Sequence, residues 1–176
     1  ANLSKKILKK ILHENLDHSF NSISVDGDTS TSDTVMLFSI YEKQEIRVSN
    51  SKYIKKISKA LKELMYNLSL QIVSDGEGIS KLIEINVSKA NNYKQASSVA
   101  FSIANSPLVK TAVAGEDANW GRVIAAIGKA DKNIIQDKIK LKFGKYLVAS
   151  KGSKNNLINI KSIDSYMKNK KIQISV

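Results

Sequence analysis

The clearest structural pattern in the sequence is KIKLKFGKYLVAS, residues 138–150. Apolar residues alternate with other residues on both sides of Gly144-Lys145, at Ile139, Leu141, Phe143, Tyr146 and Val148. An alternation of period two is typical of a strand with one buried face, and a two-residue turn containing glycine joins two such strands as a hairpin. The sequence therefore predicts an antiparallel hairpin in this stretch.

Strands and helices alternate on both sides of the hairpin. Downstream, a short helix is predicted around residues 163–167, and a strand follows from Lys171 to Val176. Upstream, an alternating strand spans residues 79–87, a helix ends before Pro107, and residues 108–113 are expected to form a buried strand. Asp117 is expected to cap a further helix that carries Val123, Ile124 and Ile127. This mixture of elements predicts an α+β fold.

The first half of the chain is more helical. Apolar residues at helical spacing predict a surface helix from Leu3 to Phe20 and a long helix from Tyr53 to Val73. Residues 74–78, which include two glycines, are expected to end the long helix in a turn. Between the two helices, Ser22 to Val25 reads as a short strand.

Composition limits the function classes that need to be considered. The chain has 176 residues, 42% of them hydrophobic, which is enough for one core or for two small lobes. Its longest apolar runs, such as residues 35–40, are too short to cross a bilayer, so we expect a soluble, cytoplasmic protein with no membrane partner. The net charge of +12 suggests nucleic-acid binding. Nearly all of that charge is lysine, however, and only Arg47 and Arg122 offer guanidinium groups, so we expect no nucleic-acid partner.

No metal site is expected from the residues present. The chain has no cysteine, and His13 and His18 have no second histidine at a ligand spacing. The acidic and hydroxyl residues of the 26–34 loop alternate as in a calcium-binding loop, but no acidic residue closes the series. Capping of the following segment by these side chains would explain most of them.

Four stretches together carry a family resemblance: VDGDTSTSDT at 25–34, DGEG at 75–78, IANSPLVKTA at 103–112 and GEDANWGR at 115–122. They resemble the β-chain of the bifunctional ornithine acetyltransferase (glutamate N-acetyltransferase) family, and the similarity covers nearly the whole chain. Ser32 departs from the family pattern, where asparagine is usual, and residues 38–41 replace a stretch of smaller residues.

The resemblance implies an acyltransferase of arginine biosynthesis. Its precursor cleaves itself before a threonine, and the resulting α-chain and β-chain stay together. The expected assembly is an α2β2 heterotetramer. The terminal threonine takes the acetyl group of N-acetylornithine and passes it to glutamate, without a cofactor, and bifunctional members also accept acetyl-CoA as donor. The chain begins with Ala1, so the threonine is expected just upstream, and the family's C-terminal stretch is expected beyond Val176.

Site residues follow from the same resemblance. Glu77, in the Asp-Gly-Glu-Gly turn, matches the family glutamate that contacts substrate, and its expected partner is a substrate ammonium. A supporting role is expected for side chains of the 25–34 and 115–122 motifs, namely Asp26, Asp28, Asp33, Thr34, Asp117, Asn119, Trp120 and Arg122. For Asp117, Trp120 and Arg122 a structural role is favoured, with Asp117 as helix cap and the other two joining the lobes.

The resemblance also implies the domain organisation. Residues 1–88 are expected to belong to a layered α/β/β/α sandwich completed by the α-chain, and residues 89–176 to form a smaller α+β lobe. Two alternatives stay open at this point. One is a self-cleaving aminopeptidase-like hydrolase, which shares the N-terminal nucleophile, and the other is a non-catalytic basic binding module.

Overall fold

The computed structural model describes residues 2–40, 45–46, 51–157 and 159–176. These residues form two compact units, Ala1–Gly76 and Glu77–Val176. The sequence placed a boundary at residue 88, whereas the contacts place it between Gly76 and Glu77. The strand that follows Glu77 is hydrogen-bonded along its length within the second unit. The assignment of residues 1–88 to a sandwich remains a prediction.

The first unit is built on two helices, α1 (Lys5–Leu16) and α2 (Ser51–Ser74). Both helices predicted in this half are confirmed, with the long one extending from Ser51 to Ser74. Ile7 and Ile11 of α1 are buried, and apolar residues of α2 pack against them, namely Ile54, Ile57 and Leu61. Two short strands, β1 (Asn2–Leu3) and β2 (Glu45–Ile46), pair in parallel.

The strand predicted at Ser22 to Val25 is wrong. The chain instead makes a single 3-10 turn at Phe20–Ser22, in which the Ser22 amide donates to the Ser19 carbonyl at 3.0 Å. The Ser22 hydroxyl also donates to the Asp17 carbonyl. The first of these bonds uses the backbone amide of Ser22, which a strand would need for its ladder, and residues 23–40 that follow contain neither helix nor strand.

The second unit is built on a five-stranded sheet in the order β3-β7-β4-β5-β6. Its strands are β3 (Leu82–Asn86), β4 (Lys140–Phe143), β5 (Tyr146–Ser150), β6 (Ser153–Lys154) and β7 (Lys171–Ser175). The predicted hairpin is confirmed as the antiparallel pair β4 and β5, with Gly144 at a φ of +54° in its turn. β3 and β7 pair in parallel, from Leu82 opposite Lys171 to Asn86 opposite Ser175.

Helices α3 (Tyr93–Ala104), α4 (Pro107–Ala114), α5 (Trp120–Ala130) and α6 (Ile160–Met167) complete the second unit. The strand predicted at residues 108–113 is wrong, because this run forms α4. Ser106 accepts a bond from the Val109 amide at 3.3 Å, and Pro107 occupies the first turn, where its missing N–H costs nothing. The buried residues Val109, Ala112 and Val113 then lie on one helical face.

The core of the second unit lies between this sheet and its helices. Leu141, Phe143, Ile172 and Ile174 are fully buried on the sheet, and the buried helical residues include Ile103, Val123, Ile127 and Met167. The α+β class expected from the sequence is therefore confirmed. Among the residues that the structure describes, no helix is long and apolar enough to cross a membrane.

Candidate functional site

The loop between α2 and β3 presents Glu77. The helix ends where the Asp75 amide donates back to the carbonyls of Gln71 and Ile72, at 3.0 and 3.3 Å. Gly78 follows Glu77 with a φ of +70°, a backbone conformation that favours glycine. The Glu77 side chain is exposed, and no described residue donates a hydrogen bond to it or forms an ion pair with it. Its carboxylate is thus available to a ligand.

Lys81 fixes the other end of this loop. Its side chain is only 8% exposed, and its ammonium forms an ion pair with the Glu116 carboxylate at 3.1 Å. The same ammonium donates to the Met167 and Asn169 carbonyls near the end of α6. Directly after Lys81, the Leu82 amide donates to the Lys170 carbonyl at 2.8 Å. The chain therefore enters the sheet from a point held by several bonds.

Glu116, the partner of Lys81, lies in an unusual backbone position. It has a φ of +62° at the end of α4, where its amide donates to the Val113 carbonyl and the next amide, of Asp117, donates to the Ala112 carbonyl. This pair of bonds is a Schellman motif, whose left-handed position is usually occupied by glycine. Here Gly115 comes one residue too early to fill it. The Glu116 side chain is 45% exposed.

Sequence reasoning did not select Lys81 or Glu116. The residues of the pair are 35 positions apart, and Lys81 is 86 positions from Met167, so no local pattern could have revealed these contacts. The one signal in the sequence is that Glu116 lies inside the GEDANWGR motif, beside residues for which a supporting role is predicted.

Asn119, and not Asp117, caps α5. The Asn119 side-chain oxygen accepts a bond from the Arg122 amide at 3.1 Å, which corrects the predicted cap. Asp117 lies two residues earlier, and its exposed carboxylate accepts a bond from the side-chain NH2 group of Asn119 at 2.9 Å. Asp117 therefore orients the cap.

Trp120 and Arg122 have structural contacts inside the second unit. Arg122 donates to the Leu108 carbonyl at 3.0 Å and to the Thr111 hydroxyl at 3.1 Å, so its described partners are on α4. A role of these two residues in joining the lobes remains a prediction. Trp120 packs against the core and lines a small crevice next to β5. The GEDANWGR motif thus connects the end of α4 to α5.

The other predicted supporting residues are in the first unit. Asp26, Asp28, Asp33 and Thr34 are all exposed. The bonds described for this loop are local: the Asp28 amide donates to the Asp26 carboxylate at 2.8 Å, and the Thr34 hydroxyl donates to the Ser32 carbonyl at 3.1 Å. They form turns within the loop and cap no helix. A supporting role for these residues remains a prediction.

A cavity of about 680 Å³ opens at the carboxyl ends of β3 and β7, where Val87 and Val176 line it. Glu77 precedes the amino end of β3, so this cavity is at the other end of the parallel pair. None of the predicted site residues lines it. Within the described ranges, no three His, Cys, Asp or Glu side chains come close enough to hold a metal ion.

Two carboxylates near the sheet have shifted titration. The Lys171 ammonium that donates to Glu84, with help from Asn86, holds the pKa of the Glu84 carboxyl below its ordinary value. The backbone amide of Asn133, with help from Gln95, does the same for the pKa of the Asp131 carboxyl. Both groups have partners that explain the shift, and neither is in the loop of Glu77.

Comparison with known sequences gives a match along the whole chain. A family profile described as the ArgJ family matches residues 1–176. The Arginine biosynthesis bifunctional protein ArgJ of Bartonella henselae is 45% identical over 179 residues, covering 100% of this chain and 43% of the relative. The protein of the same name from Brucella suis is 41% identical over 181 residues, covering 100% and 44%. The chain thus spans less than half the length of these relatives.

A solved structure gives the same result for the fold. The crystal structure of the Arginine biosynthesis bifunctional protein ArgJ from Bacillus halodurans superposes with a TM-score of 0.90 at 34% sequence identity. The superposition covers 99% of this chain and 83% of that chain.

Proposed function

The chain belongs to the ArgJ family, and from this membership we propose that it is part of an acyltransferase that moves an acetyl group from N-acetylornithine to glutamate in arginine biosynthesis. The observation that carries the proposal is the whole-chain match, which includes all four motifs of the family resemblance. The chain corresponds to the β-chain of such an enzyme.

The proposed reaction has two steps on one threonine, expected upstream of Ala1. The threonine hydroxyl attacks the acetyl carbonyl, its proton goes to the terminal α-amine, and the C–N bond breaks to release ornithine with that proton. The glutamate amine then attacks the acetyl ester, its proton passes through the terminal α-amine to the departing threonine oxygen, and N-acetylglutamate leaves. Donors on the α-chain are proposed to stabilise the oxyanion in both steps.

Glu77 is proposed to bind the substrate ammonium. Its exposed carboxylate has no described partner, and the turn that presents it lies between a helix end and the start of a sheet strand. A carboxylate facing an ammonium forms a charge-assisted hydrogen bond, which is stronger than a neutral one. A site built on such a bond also discriminates against substrates that lack the amine.

The proposed α-chain partner is supported by exposed apolar side chains in the first unit. Met36, Phe38 and Ile40 are 69%, 79% and 78% exposed, while the alternate residues Leu37 and Ser39 are half-buried. Apolar residues of α2 at a spacing of four are also exposed, namely Leu64, Leu68 and Ile72. Exposed apolar groups in rows are typical of a surface covered by another chain. We propose that the α-chain covers them in an α2β2 assembly.

A cytoplasmic enzyme that needs no cofactor is consistent with a reaction that passes through a threonine ester alone. Acetyl-CoA enters as a second acetyl donor if the enzyme is bifunctional, as the names of its relatives state for those proteins.

The experiment that tests this function is an acetyl-transfer assay on the full-length protein, with its precursor produced and cleaved in the same cell. N-acetylornithine and glutamate are supplied, and N-acetylglutamate is quantified by mass spectrometry. We expect N-acetylglutamate and ornithine in equal amounts. Release of free acetate independent of glutamate would identify a hydrolase instead, and salt-sensitive nucleic-acid binding with no acetyl transfer would identify a basic binding module.

A further inference from the structure

The turn after α4 requires a left-handed residue at position 116, but it does not require that residue to be a glutamate. Glycine would occupy the left-handed position of this Schellman motif without cost, yet a glutamate stands at a φ of +62°. Strained positions of this kind cluster where the side chain serves a function. The side chain of Glu116 makes one described ion pair, with the Lys81 ammonium.

Lys81 depends on that carboxylate. Its side chain is 8% exposed, and its ammonium has three described acceptors: the Glu116 carboxylate and the carbonyls of Met167 and Asn169. Glu116 is the only one of the three that carries a charge. Removing one partner of a largely desolvated ion pair leaves the other charge uncompensated, so the ammonium would move toward water if Glu116 lost its charge.

Only a short segment joins Lys81 to Glu77. Three residues, Gly78, Ile79 and Ser80, separate Glu77 from Lys81. All three residues are exposed and belong to no helix or strand. Because the Glu77 side chain has no described partner, its position depends on the backbone, which is fixed on this side at Lys81.

We propose that the Lys81–Glu116 ion pair is a positioning device that holds the Glu77 carboxylate where it binds the substrate ammonium. Lys81 and Glu116 do not contact substrate in this account. They fix the carboxyl end of the 75–81 loop to the ends of α4 and α6. The inference rests on the proposed function, since it assigns Lys81 and Glu116 to the same binding site.

The test measures preference for an ammonium-bearing substrate in the full-length enzyme. For each variant, kcat/KM is determined with N-acetylornithine and with N-acetylnorleucine, in which a methyl group replaces the ammonium. The variants are Glu116→Gln, Glu116→Gly, Lys81→Met and Glu77→Gln. Glu84→Gln is the matched control, because it breaks the Lys171–Glu84 ion pair in the same unit. Thermal unfolding is recorded for all of them.

We expect Glu77→Gln to abolish the preference for N-acetylornithine. Glu116→Gln and Lys81→Met should each reduce this preference about 10-fold, through a higher KM for N-acetylornithine. A 10-fold change corresponds to the loss of about one hydrogen bond to a charged group. Glu116→Gly is decisive, because glycine relieves the backbone strain and should fold, but it should lose the preference equally. Glu84→Gln should keep the wild-type preference. Adding Glu116→Gln to Glu77→Gln should have no further effect on it.

Different failures have different meanings. If the wild-type enzyme transfers no acetyl group, the proposed function falls and this inference falls with it. If Glu77→Gln loses the preference while Glu116→Gly and Lys81→Met retain it, the proposed function stands and the positioning role is wrong. A lower unfolding temperature with an unchanged preference would likewise assign the pair to stability alone.

Discussion

At the scale of single residues, Glu77 is the side chain on which substrate recognition is proposed to depend. Replacing Glu77 by Gln removes a charge-assisted bond and should lower kcat/KM for N-acetylornithine about 10- to 100-fold, the equivalent of about 1.5–3 kcal/mol. Asp75→Asn is the matched control, since it neutralises a carboxylate in the same exposed loop. Equal losses in both variants would show that loop charge, and not Glu77, determines recognition.

Glu84 provides a prediction about pH. Its pKa is lowered in the folded protein by the Lys171 ammonium, so the native state binds the proton of this group more weakly than the unfolded state. The stabilisation is present above its ordinary value of 4.5 and is lost as pH falls through and below it. Urea unfolding between about pH 5 and about pH 3 should therefore show a shallower loss of stability for Glu84→Gln than for the wild type.

Single residues could be predicted from the sequence where they belong to a recognisable motif. They could not be predicted where their role depends on a tertiary contact. Glu77 could be selected because its turn belongs to a recognisable motif, and the structure gives it an exposed carboxylate. Lys81 and Glu116 could not, because their ion pair joins residues far apart in sequence. Glu116 is left-handed because α4 ends in a Schellman motif, and the sequence alone does not predict where that motif falls.

At the scale of elements, Asn119 and Asp117 have different roles at the start of α5. Asn119→Ala removes the acceptor of the Arg122 amide and should destabilise the protein by about 1 kcal/mol, the usual value of an N-cap. Asp117→Ala only frees the Asn119 side chain and should cost less. Chemical denaturation of the two variants decides the matter, and a larger loss for Asp117→Ala would restore the cap expected from the sequence.

The hairpin turn at Gly144 has no room for a side chain. A Cβ there would lie 2.7 Å from the ring of Tyr166, and the φ of +54° is unfavourable for any other residue. The ring is held by a bond from the Gln173 amide to its hydroxyl at 2.8 Å. We expect Gly144→Ala to destabilise the protein by about 1–3 kcal/mol.

Gly128 is the matched control for this glycine. It lies inside α5, and a Cβ there would meet nothing within 4 Å. Gly128→Ala should stabilise the protein by about 0.5–1 kcal/mol, because glycine loses more conformational freedom in a helix. Unfolding midpoints that fall equally in both variants would contradict the account of the turn.

The elements that could be predicted were those with a long or unambiguous period. The apolar residues of α2 recur at helical spacing over its whole length, which indicates a helix, and the alternation around Gly144 indicates a hairpin. The apolar run of α4 is short enough to fit a strand or a helix, and the signal that favours the helix is the Ser106-Pro107 pair at its start. At Ser22, hydrogen bonds to Asp17 and Ser19 replaced the short strand that alternation suggested.

At the scale of the whole molecule, the chain carries a sheet-and-helix unit, Glu77–Val176, and a first unit with rows of exposed apolar side chains. The net charge of +12 did not determine the functional assignment, because sequence similarity along the whole chain points to an enzyme family. The catalytic threonine is proposed to lie upstream, and the acetyl-enzyme is therefore proposed to form on a β-chain longer than this one.

The most direct test of that claim is the intact mass of each polypeptide of the full-length enzyme, under denaturing conditions, before and after brief exposure to N-acetylornithine. We predict two chains, with the mass of one acetyl group added to the β-chain and removed again when glutamate is supplied. Full acetyl transfer with no acetylated chain at any time point would contradict the account, as would an adduct that survives glutamate.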